Sequence, residues 1–146
     1  MDEMDLNLLI GRCYVLDLRQ VTGGIRAAHL ARTPEGVERL LVRTRNSDIL
    51  GDEAFHPDYI GLLPDAAEEL ARRGIRLFGL DYYSIGDIHH NPAVHTAFLS
   101  QSGAVALEGV VLRDVEEGWY DLICLPLRLQ ALDGAPCRAV LAPCAP

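Results

Sequence analysis

A helix followed directly by an apolar strand constrains the fold of this chain more than any other feature. Pro64 suits the first helical position, Arg73 lies in the last turn, and Gly74 ends the helix. The next segment, residues 75–80, is apolar and predicts a strand. One side of the predicted helix carries an apolar stripe suited to packing on a sheet: Leu63, Ala66, Ala67, Leu70 and Ala71.

Further strands are predicted on both sides of this helix–strand unit. They are residues 14–18, 39–44, 120–125, 127–131 and 138–141. The central triplet of residues 39–44 is apolar throughout, which indicates burial on both faces in the middle of a sheet. Residues 20–36 and 45–62 are rich in turn formers and polar side chains, as in surface loops. The resulting order favours an α/β or α+β fold with a mixed sheet.

Composition narrows the class of protein and its partners. The 146 residues fit one domain, and 49% hydrophobic with 23% charged residues excludes general disorder. The net charge is −8 and no basic block occurs, so no nucleic-acid partner is expected. The N-terminus is acidic, unlike a secretory signal, and no apolar run reaches the roughly 18 residues that span a bilayer. A cytoplasmic protein without membrane contact is therefore expected.

The four cysteines do not form a metal-binding pattern. Cys13, Cys124, Cys137 and Cys144 include no Cys-x-x-Cys pair, which argues against a zinc ribbon. In a reducing compartment they are interpreted as small buried hydrophobic residues or free thiols.

Residues 93–109 form a helix–turn–strand unit that carries the main candidate site. His95 lies in a short helical run that Gly103 ends, and Glu108 lies at the end of the following apolar strand. Such a turn can bring an imidazole and a carboxylate to one point, as a divalent metal or a proton-transfer pair requires. Since a catalytic metal usually has about three protein ligands, the remaining ligands are expected elsewhere in this chain or in another one.

An ordered series of motifs resembles the cyclase family of metal-dependent hydrolases, which includes bacterial kynurenine formamidase and isatin hydrolase. The matching positions include residues 41–44, Phe55, 59–67, 74–81, Ser84, Ile85, His95, Glu108 and Gly109, with a closing segment at 122–129 and 133–140. The resemblance covers residues 12–142. It implies a swivelling β/β/α domain with a mixed sheet and packed helices. His95 and Glu108 match late metal ligands, although their spacing of 13 is one residue longer than in the family.

The resemblance also implies a cofactor and a class of reaction. Family members commonly bind zinc or manganese and hydrolyse amide-like bonds in small molecules. Their hallmark, His-x-Gly-Thr-His-x-Asp-x-Pro-x-His, supplies the other ligands and the catalytic histidine. These 146 residues do not contain it, and neither His29 nor His56 lies in such a pattern. We therefore expect residues 1–146 to form a single, N-terminally truncated family domain, equivalent to the C-terminal two-thirds of the usual one.

Five further residues are candidates for the site. Asp81 ends a strand at a loop edge, where either a catalytic group or a structural hydrogen-bond acceptor is common. His89 and His90 are candidate catalytic residues or a solvated loop pair, whereas His56 is interpreted as a plain loop residue. Tyr82 and Tyr83 replace smaller residues usual in the family, so they are candidates for substrate binding or for packing alone.

Three functions remain open on this reading. The first is a hydrolase or cyclase subunit that acts on an amide, formamide or lactam bond and obtains the rest of its metal site from another chain. The second is a non-catalytic relative that serves as a scaffold, a regulatory subunit or a small-molecule binder. The third is a metal-free cyclase with a pocket lined by tyrosine and histidine. A homo-oligomer or a hetero-oligomer with a chain carrying the missing motif is expected.

Overall fold

The computed structural model describes residues 4–144, which form one mixed sheet with α-helices packed on it. The strands are β1 (Ile10–Asp17), β2 (Arg39–Arg43), β3 (Leu77–Leu80), β4 (Val105–Glu108), β5 (Gly118–Pro126) and β6 (Cys137–Pro143). The helices are α1 (Pro64–Arg72) and α2 (Asn91–Leu99). Short 3-10 turns cover Leu6–Leu8, Ala27–Arg32 and Arg45–Asp48. This architecture confirms the α+β class that the helix–strand order indicated.

The strand order of the sheet is β4-β3-β2-β1-β5-β6. Strands β1 to β4 pair in parallel, whereas β5 pairs antiparallel with β1 and β6 pairs antiparallel with β5. Leu41 of β2 lies between Val15 of β1 and Gly79 of β3, and residues 40–42 are buried. The predicted central position of this strand is confirmed.

Helix α1 forms where the sequence predicted it and ends one residue earlier. Pro64 begins the helix, and Gly74 adopts a φ of +74°, a left-handed conformation that favours glycine after a helix. The side chains of Ala66, Ala67 and Leu70 are buried, so the predicted stripe faces the sheet. Within residues 4–144, neither this helix nor any other combines the length and apolar character needed to cross a membrane.

The sheet is covered differently on its two faces. One face packs against both helices and holds the larger apolar cluster, in which Leu40 and Phe78 contact the buried side of α1 and α2. The opposite face holds a second cluster that includes Val15, Leu41 and Leu122. Alternate residues of a strand point to opposite faces, which is why neighbouring leucines 40 and 41 belong to different clusters.

The strand predicted at residues 127–131 is wrong. Leu127 donates its N–H to the Pro136 carbonyl, but Leu129 then donates to the Leu127 carbonyl two residues back. That short hydrogen bond turns the backbone out of the extended conformation, and Ala131 adopts a positive φ of 56°. The alternating leucines therefore belong to a loop between β5 and β6.

The segment 45–62 differs from the exposed loop that its composition suggested. Its residues Asn46, Ser47, Tyr59 and Ile60 are buried. The Asn46 side chain accepts from the Ile60 N–H and donates to the Ile60 carbonyl, each at 2.8 Å. Asn46 is buried because its side-chain amide satisfies the backbone N–H and carbonyl of Ile60, which a neighbouring strand would satisfy in a sheet.

Candidate functional site

His95 and Glu108 meet at the end of the sheet, as their spacing predicted. His95 lies in α2 and Glu108 is the last residue of β4, and His95 Nε2 is 3.2 Å from Glu108 Oε1. Both side chains are about one-third exposed, so the pair is open to solvent or to a ligand. The longer spacing of this chain therefore still permits contact between the two groups.

The backbone around the pair determines which atoms face each other. His95 Nδ1 lies 3.0 Å from the Asn91 carbonyl, which can only accept, so Nδ1 carries a hydrogen. Nε2, the nitrogen that faces Glu108, is then left either to donate to the carboxylate or to offer a lone pair to a cation. Glu108 Oε1 is held in turn by the Ile85 N–H at 2.9 Å. A proton or a metal cation located between His95 Nε2 and Glu108 Oε1 can bind to both atoms.

The separation of the two groups also suits a shared metal ion. With metal–ligand distances near 2.1 Å, two tetrahedral ligands lie about 3.4 Å apart. The observed 3.2 Å is close to that separation. A carbonyl that holds the non-coordinating nitrogen of a histidine is also the usual support for a metal ligand. The donor set fits zinc or manganese, but it provides only two protein ligands.

The described part of the chain does not assemble further ligands around this pair. Across residues 4–144, no group of three or more His, Cys, Asp and Glu side chains could hold a metal ion. His56 contacts Asp52 at 2.8 Å, and His29 Nδ1 accepts from the Arg26 N–H at 3.0 Å. Both histidines therefore have local partners, His29 within a 3-10 turn and His56 in a loop, as predicted for His56.

Asp81 lies in a buried polar cluster with Thr44 and Ser47. Its carboxylate accepts four hydrogen bonds from the N–H and hydroxyl groups of these two residues, at 2.6 to 3.1 Å. Burial raises the pKa of Asp81, and the hydrogen bonds from Ser47 and Thr44 oppose that rise only in part. These contacts favour the structural role over the catalytic one, because they tie the β3 end to the loop after β2.

His89 and His90 are brought to Asp87 and not to the His95–Glu108 pair. Asp87 Oδ1 accepts the N–H groups of both histidines, and it lies 2.9 Å from His90 Nδ1. Burial opposes ionisation of Asp87, but the His90 contacts and backbone N–H groups outweigh it and lower its pKa. His90 Nδ1 is thereby held, and its ring stays about half exposed.

The two tyrosines have different environments. Tyr82 is buried and stacks on Tyr59 with ring centroids 4.3 Å apart, so it contributes to packing. Tyr83 is 60% exposed and its ring lies next to Gly109, where an added Cβ would be 3.9 Å from Tyr83 Cδ1. Tyr83 is therefore the tyrosine that remains available beside Glu108.

Three supporting groups were not predicted from the sequence. Asp87 precedes His90 by three residues, a spacing typical of a local side-chain cap, and this signal could have identified it. The Tyr59 hydroxyl donates to the Gly86 carbonyl at 2.7 Å, and burial and the charge of Asp87 raise its pKa. The Ile85 N–H could not be found by residue type, because a backbone amide has no sequence signature.

Curated relatives match nearly all of this chain. Cyclase-like protein 3 of Arabidopsis thaliana is 34% identical over 144 residues, which cover 96% of this chain and 53% of the relative. Kynurenine formamidase of Bacillus cytotoxicus is 34% identical over 143 residues, which cover 97% of this chain and 66% of the relative. The chain thus spans about half the length of the first of these relatives and about two-thirds of the second.

A solved structure and a family model agree with these relatives. The structure, described as a potential metal-dependent hydrolase with cyclase activity, is 34% identical with a TM-score of 0.86. The match covers 97% of this chain and 69% of that one. The family model with the description "Putative cyclase" matches residues 1–87, more than half of the chain. The resemblance inferred from the sequence is confirmed, and the chain belongs to the cyclase family.

Proposed function

We propose that this chain is a subunit of a metal-dependent hydrolase or cyclase that acts on an amide, formamide or lactam bond of a small molecule. The observation that carries the proposal is the His95–Glu108 pair, in which an imidazole nitrogen and a carboxylate oxygen face each other at 3.2 Å. The descriptions of relatives as kynurenine formamidase and metal-dependent hydrolase favour a metal ion there and a hydrolytic reaction.

Each residue has a distinct part in this proposal. His95 Nε2 and Glu108 Oε1 hold a zinc or manganese ion, and the Asn91 carbonyl and Ile85 N–H keep them in position. When bound, the ion supplies the Lewis acidity that makes water nucleophilic toward a carbonyl near neutral pH. Tyr83 forms one wall for the substrate beside the pair.

Proton transfer is a further role that the site residues can support. Asp87 holds His90 at Nδ1, which leaves Nε2 of a half-exposed ring to exchange a proton. Asp81 has its oxygens engaged by Thr44 and Ser47, so we assign it to the support of the loop. His89 contributes its N–H to Asp87, and we give its ring no role in the reaction.

The remaining ligands come, in this proposal, from another chain. Two protein ligands leave an ion mostly hydrated and weakly held. The family's His-x-Gly-Thr-His-x-Asp-x-Pro-x-His segment contains histidine and aspartate donors of the required kind. A polypeptide with that segment would complete the coordination when it docks beside Glu108.

Metal binding tests this proposal directly. The 146-residue chain alone should bind zinc or manganese weakly, because the described residues provide two ligands at this point. A mixture with a polypeptide carrying the family's histidine motif should retain about one or two ions per complex after gel filtration, measured by elemental analysis. The mixture should also hydrolyse N-formylkynurenine or a similar formamide, whereas neither polypeptide alone should.

Matched variants make the metal experiment specific. His95→Ala and Glu108→Gln should each abolish metal retention by the mixture, since each removes a ligand. His56→Ala should leave retention unchanged, because His56 contacts Asp52 in a loop. A tightly held stoichiometric ion in the chain alone would contradict completion by another chain. Metal-independent turnover would instead support the metal-free cyclase.

A non-catalytic relative is the second candidate function. The observation that favours it is the two-ligand pair itself, since a family scaffold can keep its core while its metal site is incomplete. In that case the mixture would form a complex without retained metal or turnover. The measurements described for the hydrolase therefore also distinguish this candidate.

We also propose that the chain does not act as a monomer. Several apolar side chains are exposed on the sheet where α1 and α2 do not cover it, and Ile123 pairs with Ile10 on one side and with Val140 on the other. This exposed surface, the Ile123 patch, consists of Ile10, Ile123, Leu125 and Val140. A contiguous apolar patch of this kind is typical of a surface covered by another chain.

Light scattering at micromolar concentration measures this property. The expected mass is at least twice the 16.0 kDa of one chain, because the Ile123 patch would be buried in the oligomer. Ile123→Glu should shift the protein toward the monomer, whereas Ile88→Glu, at an exposed position outside the patch, should not. A uniform species of monomer mass would contradict the proposal, and co-purification from the native host would separate homo- from hetero-oligomers.

A further inference from the structure

Two cysteine sulfurs lie next to each other on the antiparallel strands β5 and β6. Cys124 pairs across the strands with Ala139, and Cys137 precedes Ala139 by two residues. Because side chains two residues apart share a face, both thiols point to the same side of the sheet. Their Sγ atoms are 3.5 Å apart. This is close to van der Waals contact between two sulfurs that are not bonded.

A disulfide between these residues would require the two sulfurs, now 3.5 Å apart, to move closer together. A disulfide has an S–S distance of about 2.0 Å and is usual only when the Cα atoms lie within about 7 Å. Diagonal neighbours on antiparallel strands lie at about 7–8 Å, near that limit. Cys137 is the first residue of β6 and follows a loop, so it can move toward β5. The resulting bond would be strained and easily reduced.

The two thiols differ in access to solvent. Cys137 is exposed and lines a groove of about 520 Å³, whereas Cys124 is buried. Burial, with the contact to Cys137, raises the pKa of Cys124 to about 12. The Cys124 S–H donates to Cys137 Sγ, which leaves the outer sulfur with free lone pairs toward the groove. Cys137 is therefore the first nucleophile and Cys124 the second.

We propose that Cys124 and Cys137 form a reversible disulfide by exchange with a low-molecular-weight disulfide. The Cys137 thiolate attacks one sulfur of that molecule, the S–S bond breaks, and one small thiolate leaves. Cys124 then gives up its proton and attacks Cys137 Sγ, the mixed disulfide breaks, and the second small thiolate leaves. The two protein thiols are oxidised by two electrons, and the small disulfide is reduced to two thiols.

The disulfide would change the position of the β6 residues that line the groove. Cys137, Arg138 and Ala139 line one side of it, and Leu107 and Glu108 of β4 line another. Oxidation would draw the start of β6 toward β5 and fix that wall. The proposal depends on the thiol geometry alone, so it is independent of metal binding at His95 and Glu108.

Glutathione disulfide is the probe for the experiment. The reduced 146-residue chain is incubated with increasing ratios of glutathione disulfide to glutathione, and the intact mass and the linked peptides are measured. We expect a loss of two hydrogens per chain, a crosslink between Cys124 and Cys137, and full return of the thiols when reduced glutathione is added. No crosslink at any ratio, or a crosslink that uses Cys13 or Cys144, would overturn the proposal.

Three single variants sharpen the assignment. Cys144→Ser keeps the pair and should oxidise like the wild type, and Cys137→Ser should form no disulfide. Cys124→Ser should stop at a glutathione adduct on Cys137, because the second nucleophile is missing. An intramolecular disulfide in Cys137→Ser would refute the pairing. The wild-type peptide map does not depend on the folding of any variant.

Discussion

Replacement of Leu70 by aspartate should lower the free energy of unfolding by about 4 kcal/mol or more. Leu70 is fully buried on the side of α1 that packs on the sheet, in the same apolar cluster as Leu40 and Phe78. The substitution removes apolar contacts and places a carboxylate inside an apolar cluster. Chemical denaturation followed by circular dichroism would measure the loss.

Leu99→Asp is the matched control for this prediction. It makes the same chemical change in a helix, but Leu99 is 41% exposed at the last position of α2. We expect a loss of less than about 1 kcal/mol there. If Leu70→Asp melts within a degree or two of the wild type, α1 does not pack on the sheet through this residue.

Replacement of Asp81 by alanine should cost about 3 to 5 kcal/mol of stability. The carboxylate is buried and accepts four hydrogen bonds from Thr44 and Ser47, so its removal leaves buried donors without an acceptor. Ser47→Ala, which removes one hydroxyl donor, should cost about 1 kcal/mol. A variant that keeps full stability and loses only turnover in the complemented mixture would support the catalytic role instead.

The same variant gives a pH test with a defined sign. Burial raises the pKa of Asp81 in the folded protein, so the folded state binds the proton more tightly than the unfolded chain. The stabilisation that Asp81 contributes is fully present below its pKa in the unfolded chain, near 3.8. It decreases as pH rises through the raised pKa of Asp81 in the folded protein. The wild-type advantage over Asp81→Ala should therefore shrink as pH rises through that window. An advantage that grows with pH would contradict this direction.

Local patterns in the sequence were sufficient for α1 and for the His95–Glu108 pair. The stripe through Leu70 has the helical period. Helix α2 ends at Leu99, four residues before the predicted end at Gly103, and the turn at Gly103 lets β4 return the chain toward the helix. The alternating leucines at 127 and 129 have an equally local pattern, yet a hydrogen bond between them makes a turn. The spacing of apolar residues predicts a helix or strand from a repeated pattern of burial. It does not reveal a single backbone hydrogen bond, such as that from Leu129 to Leu127, that interrupts the strand.

Roles that depend on distant partners could not be inferred in the same way. The sequence does not distinguish a catalytic from a structural role for Asp81, because its hydrogen-bond donors lie 34 and 37 residues away along the chain. The proximity of Cys124 and Cys137 likewise depends on the register of β5 and β6, which spacing in the sequence does not reveal. The family resemblance predicted the fold, but contacts that depend on strand register are visible only in the structure.

Strand β4 is the outermost strand of the sheet beyond β3, and Glu108 is its last residue. Backbone groups along such an edge can accept any extended polypeptide, with little demand on its side chains. Under the proposed completion by another chain, a strand added there would lie alongside Glu108 and bring its ligands toward the His95–Glu108 pair. Under this arrangement, metal occupancy would report the assembly state of the protein, and dilution would release both the partner and the ion.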